Sequence, residues 1–145
     1  MISVNELRFG NLVIFNDEIC KIVSAGKSNP HDAHVLNPTN YFPTGVKEEN
    51  MHPIPITPDI LERCGFVKDG FGAYNLSISP WESHFKILSF AGDYLYLREG
   101  DEIEHRGKDN LVTLWNKDLM KEFYLHELQT LYFALMRKEL PYDAV

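Results

Sequence analysis

The clearest periodic pattern in the chain is a stripe of apolar residues near its C-terminus. Its members recur at spacings of three and four residues: Leu125, Leu128, Leu131, Tyr132, Leu135 and Met136. Such spacing places side chains on one face of an α-helix. The other face is predicted to be polar: His126, Glu127, Gln129, Thr130, Arg137 and Lys138. Because an amphipathic helix buries its apolar face against another element, the rest of the chain must supply a packing surface.

That surface is predicted to be antiparallel β-sheet. Residues 12–15 and 19–23 are strand-like runs separated by the turn residues Asn16-Asp17-Glu18, which indicates a hairpin. Further strands are predicted at 74–78, 84–90, 94–98 and 111–115, with a charged loop at 99–110. Together with the helix they predict an α+β fold of small antiparallel sheets.

One short central helix is also predicted, following a proline-rich connector. Thr57 suits its N-cap, Pro58 its first position and Asp59 its first turn. Gly65 suits the left-handed residue that ends it.

Length and composition predict one compact domain over residues 1–145. Its content of 44% hydrophobic and 24% charged residues is ordinary for a globular protein. Within it, a β-rich part at 1–53 and a helix-sheet-helix part at 54–145 are suggested by composition. Residues 24–53 are the least regular segment, and the pattern leaves open whether they form an ordered loop or strands.

The net charge and the absence of targeting signals limit the kinds of partner and the location that we expect for this chain. Fourteen Lys and Arg stand against 21 Asp and Glu, a net charge of −7 that disfavours a broad nucleic-acid surface. The N-terminus has no basic, apolar leader, and no apolar run is long enough to span a membrane. We therefore expect a cytoplasmic protein without membrane contact. Cys20 and Cys64 form no Cys-x-x-Cys pair and are expected to be buried thiols.

No motif of a nucleotide-binding or serine-hydrolase site occurs, so an enzyme is the less favoured class, and no cofactor is predicted. His31, Asp32 and His34 are the best candidate metal ligands, since imidazole and carboxylate groups bind divalent ions. Their spacing matches no established metal signature, and a polar surface loop is the favoured interpretation. His126 is expected to pack at the start of the last helix rather than to act as a base.

Aromatic residues make up 12% of the chain, and several are hard to place in one core. The candidates for a protein interface are Trp81, Phe133, Tyr41 and Phe42. Exposed aromatics commonly anchor protein interfaces, although satellite clusters around a core are an equal alternative.

Three segments together resemble a family of small uncharacterised proteins encoded by phages, prophages and mobile elements of gut anaerobic bacteria. They are Asn5-Glu-Leu-Arg-Phe-Gly-Asn-Leu-Val, Ile54-Pro-Ile-Thr-Pro-Asp-Ile-Leu-Glu-Arg-Cys-Gly-Phe and Tyr124-Leu-His-Glu-Leu-Gln-Thr-Leu-Tyr-Phe-Ala-Leu. The resemblance implies an accessory gene and no catalytic residue. The sequence departs from the family at Met136-Arg137-Lys138, where a Thr-Gly step is usual, which suggests a longer helix. The first segment also resembles the opening of SH3-like barrels.

Three functional hypotheses follow. The leading one is a non-enzymatic accessory or protein-binding protein of a phage or mobile element, which acts through an interface with a protein partner or as a homo-oligomer. The second is a nucleic-acid-associated SH3-like module in which Arg8, Lys21 and Lys27 lie on one face. The third is a metal-dependent hydrolase using the loop of His31, Asp32 and His34.

Overall fold

The computed structural model describes residues 2–26, 31–37, 42–78, 84–92, 94–101, 110–116 and 122–143. The predicted α+β class is confirmed: two antiparallel sheets are accompanied by a short helix and a C-terminal helix. The chain divides into two compact units. Unit 1 comprises Met1–Ile56 and Tyr124–Leu140, and unit 2 comprises Thr57–Phe123 and Pro141–Val145.

Unit 1 contains a four-stranded antiparallel sheet in chain order. Its strands are β1 (Leu12–Phe15), β2 (Glu18–Ala25), β3 (Ala33–Leu36) and β4 (Thr44–Val46). The predicted hairpin is confirmed as β1 and β2, and Phe15 pairs with Glu18 across a two-residue turn. Asn16 and Asp17 both have left-handed φ values, 52° and 62°, which suit the twist of a tight hairpin.

The sheet of unit 1 continues beyond β1 through the segment that follows β4. A 3₁₀ turn at Glu48–Asn50 brings the chain back to β1. His52 and Ile14 then exchange two backbone hydrogen bonds of 2.9 Å. The irregular segment 24–53 therefore contains β3, β4 and this additional bridge among its described residues.

The core of unit 1 is aliphatic and sulfur-containing. Among the described residues, one cluster of buried side chains contains Ile2, Val4, Val13, Cys20, Ile22, Ala33, Val35, Val46 and Met51. The expected burial of Cys20 is thus confirmed, and its thiol serves as a packing group in the core.

Unit 1 also holds the C-terminal helix α2 (Leu125–Met136). Leu125, Leu128 and Tyr132 are buried, as their spacing predicts, whereas Leu131 and Met136 are partly buried and Leu135 is 40% exposed. His126 is also buried, as expected of a residue that packs at the start of the helix, and Gln129 is a polar residue of the other face that is buried as well. The expectation of a longer helix was wrong, since the helix ends at Met136 and Arg137 takes a left-handed conformation.

Unit 2 begins with helix α1 (Pro58–Arg63), whose ends confirm the sequence prediction. The Thr57 hydroxyl oxygen accepts a hydrogen bond from the backbone N–H of Ile60, and Gly65 has a φ of 93°. Phe66 then donates its backbone N–H to the Leu61 carbonyl, which satisfies one of the carbonyls at the helix end.

The sheet of unit 2 has five antiparallel strands in chain order. They are β5 (Val67–Lys68), β6 (Tyr74–Ser77), β7 (His84–Ala91), β8 (Tyr94–Asp101) and β9 (Asn110–Asn116). The predicted bounds of the loop at 99–110 were wrong at both ends, because β8 continues to Asp101 and β9 begins at Asn110. Residues 102–109 lie outside the described residues. Across the sheet, Leu88 pairs with Leu76 and Leu97, which places apolar side chains on one face. Among the described residues, no helix has the length and apolar character needed to cross a membrane.

Candidate interaction surface

The turn between β5 and β6 is an ordered loop built around Asp69. The backbone N–H of Asp69 donates to the carbonyl of Ala73 at 2.8 Å. Its carboxylate oxygen Oδ1 accepts from the backbone N–H groups of Phe71, at 2.8 Å, and Ala73, at 3.0 Å. One carboxylate therefore fixes both sides of the turn, as short Asp side chains often do in loops.

A second set of hydrogen bonds ties this turn to the sheet. The Asn75 side-chain amide donates to Asp69 Oδ2 at 2.8 Å, and the Ser89 hydroxyl donates to Asn75 Oδ1 at 2.5 Å. Ser89 is buried in β7. The hydrogen bond from Asn75, followed by that from the Phe71 amide, lowers the pKa of the Asp69 carboxyl. The carboxylate therefore stays ionised, and a strong acceptor, at neutral pH.

This ordered turn displays an aromatic side chain in solvent. Phe71 is 99% exposed, and Val67, at the start of the same hairpin, is 70% exposed. Gly72, next to Phe71, has a φ of 87°, a conformation that favours glycine. We call Val67, Phe71 and the loop between them the Phe71 turn. An exposed aromatic on a fixed loop is the arrangement of a binding anchor.

The structure describes two of the four predicted interface residues. Phe42 is 81% exposed. Phe133 is half-buried on α2, and the guanidinium carbon of Arg8 lies 4.4 Å from its ring centroid. Trp81 and Tyr41 lie outside the described residues.

Arg8, a candidate phosphate contact, is held by its own chain. Its two terminal nitrogens bind both carboxylate oxygens of Glu139, at 2.8 and 3.2 Å. One of them also donates to the backbone carbonyl of Gln129 at 3.1 Å. Bidentate Arg–carboxylate pairs are directional and comparatively strong. The cation is therefore already paired, and this weakens the nucleic-acid hypothesis.

The first and third segments of the family-like pattern contact each other in unit 1. The buried Gln129 side chain accepts from the backbone N–H of Leu12 at 2.8 Å. The buried Asn11 side chain accepts from the Arg8 backbone at 2.7 Å and donates to the His126 carbonyl at 3.4 Å. These residues therefore satisfy one another's polar groups, which is a structural role for both segments.

The candidate metal ligands lie beside one another at the start of β3. The rings of His31 and His34 are 5.7 Å apart, centroid to centroid. His34 Nδ1 lies 3.0 Å from the Ser24 hydroxyl, and Asp32 Oδ2 accepts from the backbone N–H of Glu48. Across the described parts of the chain, no group of three or more His, Cys, Asp and Glu is arranged to hold a metal ion.

Sequence reasoning missed the Phe71 turn as a functional candidate. The available signal was Asp69-Gly-Phe-Gly72, an aromatic between two glycines at the end of a short strand. In comparisons with known proteins, no family model, curated protein or solved structure matched the chain.

Proposed function

We propose that this chain is a non-enzymatic, protein-binding accessory protein, and that the Phe71 turn is its principal binding element. The observation that carries the proposal is a fully exposed phenylalanine on a loop fixed by the Asp69 carboxylate. The resemblance of three segments to proteins of phages and mobile elements supports an accessory role in such an element.

The energetics favour a partner with an apolar pocket. Burial of a phenylalanine side chain contributes about 1.5–3 kcal/mol, enough for one residue to dominate a small interface. Because the loop is held by hydrogen bonds before any partner arrives, binding costs less conformational entropy than ordering a free loop. The neighbouring Val67 extends the apolar contact.

For unit 1, an SH3-like barrel is part of the same proposal. Support comes from the four-stranded meander, the 3₁₀ turn at Glu48–Asn50 and the bridge from His52 back to β1. Such barrels serve many functions, so this topology does not choose a ligand. The pairing of Arg8 with Glu139 and the net charge of −7 favour a protein ligand over nucleic acid.

Site-specific photo-crosslinking in the expressing cell tests the proposal. A benzophenone amino acid at position 71 should capture a second, different polypeptide, and the same group at the exposed Glu49 should not. Asp69→Ala, introduced with the crosslinker, should reduce the yield severalfold because it releases the turn. Equal, diffuse labelling from positions 71 and 49 would contradict the proposed binding role.

A second measurement separates binding from folding. Phe71→Ser should change the free energy of unfolding by no more than about 0.5 kcal/mol, because the side chain is exposed. The same substitution should abolish recovery of the partner identified by crosslinking. Retained binding by this folded variant would show that another surface is used.

A further inference from the structure

Strand β9 forms one edge of the sheet in unit 2. It pairs with β8, and on its other side no strand is present among the described residues. Leu111 is 56% exposed and Val112 is 52% exposed. Since successive side chains of a strand point to opposite faces, this edge is apolar and exposed on both faces.

The strand lacks charge and proline, two of the features that usually protect an edge. Asn110–Asn116 contains no charged residue and no proline, although the whole chain carries −7. Lysine, proline and other charges on edge strands normally prevent pairing between copies. A second copy of this chain would therefore meet no like-charge repulsion along β9 itself.

The ladder with β8 defines which part of the edge is regular. Tyr96 pairs with Thr113 and Leu95 with Trp115, so Leu114 is an extra residue in a bulge. The alternation of faces is broken there. Residues 110–113 are thus the regular stretch available to another strand.

We propose that β9 pairs antiparallel with β9 of a second copy about a two-fold axis at Val112. In that register Val112 lies opposite the partner's Val112, and Leu111 lies opposite the partner's Thr113. Each residue then lies opposite a residue whose side chain points to the same face, so the faces of the two sheets are continuous. Two five-stranded sheets become one of ten strands.

The register is self-complementary, as a two-fold interface requires. The main chains exchange hydrogen bonds, and the opposed side chains are β-branched or aliphatic, a favourable class of cross-strand pair. This dimer does not depend on whether the Phe71 turn binds a partner.

The test is the oligomeric state of the full chain, measured by native mass spectrometry and analytical ultracentrifugation from about 1 to 100 μM, the range of weak specific interfaces. The wild type should dimerise within that range. Val112→Lys and Val112→Glu should each raise the dimer dissociation constant at least about tenfold, because like charges then lie directly opposite. A mixture of the two variants should restore a heterodimer.

Val67→Lys is the matched control, since it places the same charge on the opposite edge strand at an exposed position. It should leave the dimer unchanged, and so should Phe71→Ser. A wild type that is monomeric throughout the range would overturn the proposal. A dimer unaffected by both Val112 substitutions would also overturn it. Loss of partner binding in Phe71→Ser with an intact dimer would separate this interface from the proposed function.

Discussion

At the scale of single residues, Arg8 shows why a basic residue in a sequence is a weak guide to nucleic-acid binding. Its carboxylate partner, Glu139, is 131 residues away along the chain. Another of its contacts, the ring of Phe133, is also on the C-terminal segment. No local pattern contains either relation, so the sequence suggested a free cation. The same contact explains why Phe133 lies off the main apolar stripe of its helix.

Cys64 provides a prediction about thiol chemistry. Burial raises the pKa of its thiol from 9.0 to about 12. In a Cys20→Ala background, alkylation of folded Cys64 at pH 8 should be about a thousandfold slower than in the urea-unfolded chain, because so much less thiolate is present. Mass spectrometry of timed iodoacetamide reactions measures this. A folded rate within tenfold of the unfolded rate would contradict it.

The same pKa shift sets a direction for stability in alkaline solution. The folded state holds the Cys64 proton more tightly than the unfolded state does. Its contribution is therefore complete below pH 9.0 and is lost progressively as the pH rises towards about 12. Comparison with Cys64→Ala isolates this contribution from other groups that titrate there.

At the scale of elements, local sequence signals were sufficient for a correct prediction wherever the hydrogen bonds of an element are made by its own residues. The N-cap Thr57, the glycine after α1 and the β1–β2 hairpin were all predicted correctly for this reason. The burial of Gln129 on the polar face of α2 was not predicted, because Gln129 finds its partner on β1. The Phe71 turn was missed because part of its order depends on hydrogen bonds from Asn75 in β6 and onward to Ser89 in β7, which no local pattern contains.

The C-terminal end of α2 yields a stabilising substitution. Arg137 is exposed and has a φ of 57°, a left-handed conformation that costs a residue with a side chain about 1 kcal/mol. Arg137→Gly should therefore raise the free energy of unfolding by up to about 1 kcal/mol, less the entropy that glycine adds to the unfolded chain. Urea titration measures the change, with Lys138→Gly as the control that should not stabilise. A fall in stability for Arg137→Gly would refute the strain argument.

At the scale of the whole molecule, unit 1 is assembled from two segments that are distant along the chain. Composition suggested a division at residues 53 and 54, whereas the contacts gather Met1–Ile56 with Tyr124–Leu140. The reason is physical, because polar groups of the helix form hydrogen bonds with β1 and with the residues before it. Hydrogen bonds between distant segments produce no periodic pattern in the sequence. Residues of both segments nonetheless belong to the family-like pattern described above.

Gln129→Ala tests this assembly of two distant segments. The hydrogen bond from Leu12 to Gln129 spans 117 residues, and its loss leaves the backbone N–H of Leu12 without that acceptor. An unsatisfied buried donor costs about 1–3 kcal/mol. Because the lost acceptor serves β1, amide hydrogen exchange of β1 should accelerate about tenfold or more together with that of α2. Thr130→Ala, at the exposed neighbouring position, is the control and should leave β1 almost unchanged. If Gln129→Ala accelerates exchange in α2 alone, the helix is dispensable to the N-terminal sheet, and unit 1 is not one cooperative structure.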